Sequence, residues 1–168
     1  MRPLIHKRDF NFFKEDFFST EEYDKVIKFI KKSASSDVLQ MHDSTEVEIK
    51  FLTEFFKQLN LREEYHQYLY GIIFCHEVEE HIDNSCYKHS ILFVLEANPE
   101  SSIFAGNKIC SNIKRGDIFY LNNNIGHGLK VKEYAQPFVA MVFDFPYKIA
   151  IDILKRLDKW KKNTIITQ

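Results

Sequence analysis

The sequence predicts a single α+β domain, mainly β, in which helices flank a β-rich core. Apolar residues recur at three-and-four spacing near both ends of the chain, which is typical of amphipathic helices. Between these ends lie seven or eight short apolar runs separated by turn residues, which is typical of strands. Aromatic residues make up 15% of the chain and suit a β-rich core or a pocket lined by rings.

Residues 1–66 are predicted to be helical. Thr20 is placed as an N-cap, because it precedes two glutamates that would lie in the first turn, where the helix dipole favours carboxylates. An apolar stripe follows it through Ile30. A second predicted helix begins near Asp43 and carries large apolar side chains up to Leu59, which we interpret as packing residues.

Residues 67–146 are predicted to form the β core. The strand-like runs are residues 69–78, 90–95, 102–104, 108–113, 117–121, 128–131 and 138–145. Their number and spacing favour a closed sandwich or barrel over a sheet with helical crossovers. Residues 147–168 are predicted to form a C-terminal helix and tail, so that the whole chain of 1–168 is one domain.

Charge and composition exclude several classes of protein. There are 23 Lys and Arg against 24 Asp and Glu, so the chain lacks the basic surplus of a nucleic-acid binder. The three cysteines form no C-x-x-C pair, which favours a reducing compartment over a disulfide framework or a zinc ribbon. The polar N-terminus is unlike a signal peptide, and we find no apolar run of membrane-spanning length. We therefore expect a cytoplasmic protein with no membrane partner, whose apolar helices offer surfaces for a homodimer.

His81 and Asp83 are the strongest candidates for metal ligands. On an extended strand, residues two apart project from the same face, so that both side chains can reach one ion. A second histidine from a distant strand would complete the two-histidine, one-carboxylate triad that is typical of non-haem Fe(II). His127 is the candidate, because it follows a glycine turn, a strand and a polar loop.

The segment from Gly116 to His127 resembles the second conserved motif of the cupin superfamily, with a glycine turn, a strand, a loop and a ligand histidine. It departs from that motif at Asn122, where proline is usual, and at Asn124, where glycine is usual. The order of His81-x-Asp83 and then His127 resembles the Fe(II)/2-oxoglutarate oxygenases, most closely the Jumonji-C and asparaginyl-hydroxylase branch. The resemblance implies a double-stranded β-helix (cupin or jelly-roll) barrel with an Fe(II) site.

The resemblance also implies a 2-oxoglutarate site. In that branch, a lysine at the start of an apolar strand holds the distal carboxylate, and Lys88 occupies the matching place. Tyr68, Tyr70, Ser90 and the triplet Asn122–Asn124 are placed by position alone to line the same pocket, with Tyr70, Ser90 and Asn122 as further cosubstrate contacts. Related enzymes instead use an arginine shortly after the distal histidine, and this chain has none there. Lys130 or Lys132 would be the remaining anchors if Lys88 does not point inward.

The leading functional prediction is an Fe(II)- and 2-oxoglutarate-dependent oxygenase that acts on a small molecule or a peptide. The first alternative is a cupin-type metalloenzyme that does not use 2-oxoglutarate, which the missing arginine favours. The second is a non-catalytic binding or regulatory protein of the cupin fold. A zincin metalloprotease is excluded, because His76 and His81 are one residue too far apart for that motif.

Overall fold

A computed structural model describes residues 5–8, 28, 38–39, 53, 56–57, 61–75, 77–97, 100–130 and 138–166. Ten strands lie in these ranges: β1 (Ile5–Arg8), β2 (Val38–Leu39), β3 (Leu69–Cys75), β4 (Val78–His81), β5 (His89–Glu96), β6 (Ser102–Ala105), β7 (Lys108–Cys110), β8 (Ile118–Asn122), β9 (His127–Lys130) and β10 (Phe138–Phe145). A short 3-10 helix (Glu63–Tyr68) precedes β3, and the C-terminal helix spans Tyr147–Ile166.

The strands form two antiparallel sheets. The large sheet has the order β1-β8-β5-β10-β3-β2, and the small sheet has the order β4-β9-β6-β7. Among the described strands, no hydrogen-bonded pair joins one sheet to the other. The protein is therefore mostly β and forms an open two-sheet sandwich, where the sequence predicted closure into a barrel.

The eight strands from β3 to β10 pair in a nested way. The first pairs with the last, β3 with β10, and the pairs β4 with β9, β5 with β8 and β6 with β7 follow inside it. Alternate pairs belong to alternate sheets. This pairing brings the end of β4 beside the start of β9, although the two strands are far apart in the chain.

The large sheet buries both of its faces. Its outer face packs against the 3-10 helix and the C-terminal helix, with Phe93, Phe143 and Ile153 in one apolar cluster. Its inner face packs against the small sheet, with Leu92, Ala140 and Leu129 in a second cluster. Burial on both sides explains why β5 and β10 are almost continuously apolar rather than alternating with polar residues.

The structure confirms the β-rich core and the C-terminal helix, and it adds detail in two places. The run predicted as one strand, residues 69–78, is divided between β3 in the large sheet and β4 in the small one. β1 and β2 lie in the part of the chain that was predicted to be helical. Of that part, positions 28, 53, 56 and 57 are helical, and the rest of the two predicted helices lies outside the described residues. Within the described part of the chain, no helix combines the length and the apolar character needed to cross a membrane.

Candidate metal centre

The three predicted ligands meet where β4 and β9 lie side by side. His81, the last residue of β4, is directly opposite His127, the first residue of β9. Between the pairs Val78–Leu129 and His81–His127, β4 contains one residue more than β9, which makes a β-bulge. Bulges are common beside functional sites, because they redirect the side chains that follow. Asp83 lies two residues beyond the strand, and one ligand atom from each of the three residues falls within 4.8 Å of the others.

The carboxylate of Asp83 faces both imidazoles. Its Oδ1 lies 3.3 Å from Nε2 of His81, and its Oδ2 lies 3.7 Å from Nε2 of His127. The two imidazole rings are 4.4 Å apart between centroids. Neighbouring ligand atoms on one ion, with bonds of about 2.1 Å at right angles, are roughly 3 Å apart. The three side chains therefore fit a single divalent cation after small adjustments.

Both imidazoles are oriented by backbone carbonyls two residues earlier in the chain. Nδ1 of His81 lies 2.8 Å from the Glu79 carbonyl oxygen, and Nδ1 of His127 lies 2.9 Å from that of Ile125. A carbonyl oxygen only accepts hydrogen bonds, so Nδ1 is the protonated nitrogen in each ring. In the neutral imidazole, the lone pair is then on Nε2, which faces Asp83. Metal-ligating histidines usually donate their other N–H in this manner.

This arrangement brings acceptors together. Two Nε2 lone pairs directed at a carboxylate repel it, unless a proton on each ring or a shared cation lies between them. A divalent cation satisfies all three groups at once and leaves further coordination positions open, because the described residues supply three protein ligands.

The triad lies at one end of a cavity between the two sheets. His127 is buried, Asp83 is half-buried and His81 is exposed, so the ligand set runs from the interior to the surface. The cavity has a volume of about 580 Å³, which is in the usual range for a small-molecule site. Most of its wall is apolar, with Leu92, Leu129 and other side chains of both sheets.

Two of the four predicted cosubstrate residues line this cavity, namely Tyr70 and Ser90. Lys88 and Asn122 are not among the residues that line it. Lys88 precedes β5, and its carbonyl accepts a hydrogen bond of 3.0 Å from the backbone N–H of Asn123. The side-chain oxygen of Asn122 instead accepts two hydrogen bonds from Asn124, of 3.1 and 2.8 Å.

The other histidine and lysine candidates also lie outside the cavity wall. His89 faces the outer side of the large sheet, where its Nδ1 is 2.8 Å from the Tyr120 hydroxyl, as expected from the alternation of neighbours on a strand. Lys130 is exposed, with Nζ 5.2 Å from the centre of the Phe104 ring. Lys132 lies outside the described residues.

The sequence did not identify Asp144 as a cavity residue, and it placed Asn123 there only as one of the triplet Asn122–Asn124. Ser90 donates a short hydrogen bond to Oδ1 of Asp144, and Nδ2 of Asn123 donates one of 2.5 Å to Ser90 Oγ. Burial raises the pKa of Asp144, an effect that the hydrogen bond from Ser90 opposes. Asp144 was detectable as the charged residue within the apolar run 138–145, whereas nothing distinguishes Asn123 from its two asparagine neighbours.

The cavity is acidic. Its wall carries the carboxyl groups of Glu77, Asp83 and Asp144, and no Lys or Arg lines it among the described residues. The basic side chains of the described wall are therefore the imidazoles of His81 and His127.

Comparison with known proteins adds no relative: no family model matches the chain, and no curated protein matches it.

Proposed function

We propose that this protein is a mononuclear Fe(II)-dependent oxygenase whose substrate occupies the cavity between the sheets. The observation that carries the proposal is the orientation of His81 and His127. Each ring is held by its Nδ1–H so that Nε2 faces Asp83, which is the donor set of two imidazoles and one carboxylate that Fe(II) oxygenases use.

The strand pairing supports a double-stranded β-helix of the cupin or jelly-roll type. A long two-stranded ribbon that folds over itself gives nested pairs distributed over two sheets, and eight strands arranged in this way make a jelly roll. The strands β3 to β10 have such nested pairs. In this fold, metal ligands on β4 and β9 would lie at the mouth of the space between the sheets.

The residues in and around the triad have separate roles. His81, Asp83 and His127 would hold Fe(II), whose chemistry would be to activate O2, the oxidant of the reaction. The two carbonyls fix the imidazoles, and the apolar walls around Leu92 and Leu129 exclude water from the reacting atoms. The open side, marked by exposed Tyr70, gives the substrate access.

The described residues do not fit 2-oxoglutarate. A dicarboxylate needs a cationic partner for its distal end, and the described wall contains carboxylates rather than Lys or Arg. Lys88, the predicted anchor, does not line the cavity. This observation favours the alternative of a cupin-type metalloenzyme that works without 2-oxoglutarate. A dioxygenase meets this condition, because both atoms of O2 enter the substrate and the substrate supplies all the electrons.

Anaerobic titration with Fe(II), followed by addition of 2-oxoglutarate, tests the proposal. We expect one Fe(II) per chain and no visible charge-transfer band when 2-oxoglutarate is added. A charge-transfer band would instead assign the protein to the 2-oxoglutarate-dependent oxygenases. Failure of the pure protein to take up metal would contradict the proposal and favour a binding or regulatory role.

Paired variants locate the site. Asp83→Asn and His127→Ala should each weaken Fe(II) binding by more than the roughly 10–100-fold typical of a lost outer-shell partner. Glu79→Gln is the matched control, because Glu79 contacts His81 through its backbone carbonyl, which the substitution leaves in place. Equal metal affinity in Asp83→Asn and Glu79→Gln would show that the ligand assignment is wrong.

A further inference from the structure

Asp144 is a charged residue in an otherwise apolar strand. β10 is buried along its whole length, and alternate residues face the two sides of the large sheet. Phe143 and Phe145 belong to the outer cluster, whereas Asp144 faces inward and lines the cavity. Its relative exposure is 9%, and a buried carboxylate costs folding free energy unless something compensates it. Packing of β10 alone gives no reason for an acid at this position.

A hydrogen-bond chain fixes one side of Asp144. The Ser90 hydroxyl has one hydrogen, and it donates this to Oδ1 of Asp144. Ser90 Oγ must then accept from Asn123, so the amide of Asn123 presents Nδ2 to Ser90. The chain runs from Asn123 through Ser90 to Asp144, and all three residues are buried and line the cavity.

One hydrogen-bond acceptor is left available at each end of this hydrogen-bond chain. Oδ1 of Asn123 is buried and has no hydrogen-bond partner among the described residues. The hydrogen bond described for Asp144 uses Oδ1, so Oδ2 is left for a ligand. A buried acceptor without a partner, such as Oδ1 of Asn123, is rare and requires an explanation. A ligand that brings at least two N–H donors would satisfy both.

The electrostatic environment selects the charge of that ligand. Asp144 is coupled to Asp83, which raises its pKa further, and to His127, which lowers it. Asp144 is therefore within electrostatic reach of the metal triad. Glu77 adds a third carboxyl group, and the described wall has no Lys or Arg to balance them. A cationic ligand is stabilised in such a cavity, and an anionic one is repelled.

We propose that Asp144, positioned by Ser90 and Asn123, binds the cationic nitrogen head group of the substrate, an ammonium or a guanidinium. The two head groups carry three and five N–H donors, respectively, enough to serve both acceptors. An aliphatic body attached to the head group would pack against Leu92, Leu121 and Val142 of the inner face. The substrate class is thus an alkylamine or alkylguanidine, which would take up both atoms of one O2 close to the triad and would supply all the electrons itself. That this ligand is a substrate rests on the proposed function, whereas the binding site for the cation does not.

Binding of small probes to metal-free protein tests the charge preference. The probes are n-butylammonium, n-butylguanidinium, n-butanol and butyrate, each titrated by saturation-transfer NMR or calorimetry. We expect at least one of the two cations to bind and butyrate to bind least. Butyrate binding that equals or exceeds that of both cations would overturn the proposal.

Variants assign the binding to Asp144. Asp144→Asn keeps the shape and the acceptor for Ser90, and it should weaken cation binding roughly 10- to 100-fold, the usual effect of losing a hydrogen bond to a charged group. Ser90→Ala should weaken it less, since Ser90 acts through Asp144. Glu79→Gln removes an exposed acid that does not line the cavity and should change the affinity little. An effect of Glu79→Gln as large as that of Asp144→Asn would overturn the assignment.

Metal titration of the same samples separates this inference from the proposed function. Protein that binds Fe(II) but prefers butyrate when metal-free would overturn the inference alone. Protein that binds the cations through Asp144 but takes up no Fe(II) would overturn the oxygenase and leave a cation-binding pocket. Far-UV circular dichroism identifies any variant that fails to fold, and Ser90→Ala then provides the independent test.

Discussion

The two faces of β10 carry residues of different character. The outward side chains are all apolar and fill the contact with the helices: Val139, Met141, Phe143 and Phe145. The inward side chains become smaller and then polar toward the end of the strand: Phe138, Ala140, Val142 and Asp144. β5 shows the same contrast, with Ile91, Phe93 and Leu95 outward and with Val94, Leu92 and Ser90 inward. The inner face therefore combines core packing with a cavity wall, and the polar residues of that wall, Ser90 and Asp144, lie together at one end of the two strands.

The contrast shows how one sheet can serve both stability and binding. The outer face is filled by rings in mutual contact, such as Phe143 at 5.4 Å from Phe56 and 5.6 Å from Phe145 between centroids. The inner face is less completely packed where the cavity opens near Ser90 and Asp144. Substitutions on the outer face should therefore affect mainly stability, and those at the cavity end mainly binding.

The largest effect is expected for Leu95→Ala on the outer face. Leu95 is fully buried in the outer cluster, so its truncation should lower the free energy of unfolding by about 2–5 kcal/mol. Leu92→Ala, on the inner face of the same strand, should cost less, because Leu92 borders an existing cavity and has fewer packing partners to lose. Urea denaturation of both variants measures the difference. A larger loss for Leu92→Ala would contradict the division between the two faces.

A metal ion bound at the triad should stabilise the protein independently of the packing on the outer face. Anaerobic Fe(II) at about a hundred times its dissociation constant should raise the free energy of unfolding by about 2.7 kcal/mol, if the unfolded chain does not bind it. Leu95→Ala should gain the same increment, since the outer face is separate from the triad, whereas Asp83→Asn should gain none. Thermal unfolding with and without Fe(II) provides the measurement, and an increment that persists in Asp83→Asn would place the metal elsewhere.

Gly128 controls the approach of β9 to β4 beside the metal site. A Cβ at this position would lie 2.5 Å from the Val78 carbonyl oxygen and 2.6 Å from the Phe104 ring, so Gly128→Ala should cost about 1–3 kcal/mol. It should also weaken Fe(II) binding, because His127 precedes Gly128 in the strand. Gly126→Ala is the matched control: its Cβ would meet the side chain of Glu80, which can move away at little cost. Equal losses of unfolding free energy and of Fe(II) affinity in the two variants would mean that the spacing of β4 and β9 is not critical for the site.

The three residues of the candidate metal centre could be proposed from the sequence because their signal is local. His81 and Asp83 are two residues apart, and His127 follows a recognisable turn, strand and loop. The apolar run 90–95 predicted a buried strand, because a strand covered on both faces has no polar alternation. What remained hidden depends on distant partners. Asp144 is joined to Ser90 across 54 positions of the chain, and no local pattern encodes that contact.

Weak or merged local signals also account for the features of the fold that were not predicted from the sequence. β1 (Ile5–Arg8) pairs with β8 at the edge of the large sheet, and its polar sequence gives only a weak strand signal. β3 and β4 are separated by two residues, so their apolar pattern runs together in the sequence even though the strands belong to different sheets. Closure or opening of the sandwich depends on which edges pair, and composition and spacing do not contain that information.

The smallest expected effect is on the pH dependence of the free energy of unfolding. It measures how much the buried acid on the inner face destabilises the fold. Burial raises the pKa of Asp144 above its unfolded value of 3.8, with Asp83 acting in the same direction and Ser90 and His127 in the opposite one. The folded state thus holds the proton more tightly than the unfolded state. The stability that this provides is complete below the unfolded pKa and is lost as the pH rises through the raised pKa of the folded state.

Asp144→Asn cannot lose a proton, yet it keeps an acceptor for Ser90. In metal-free protein, its stability relative to the parent should therefore be lowest near pH 4 and should increase toward about pH 7, as the parent pays the cost of an ionised buried carboxyl. Unfolding free energies across this range measure the difference. If the stability of Asp144→Asn relative to the parent did not change with pH, or fell as the pH rose, the inward carboxyl would be stabilised by the fold itself, and the polar end of the inner face would need no ligand to account for it.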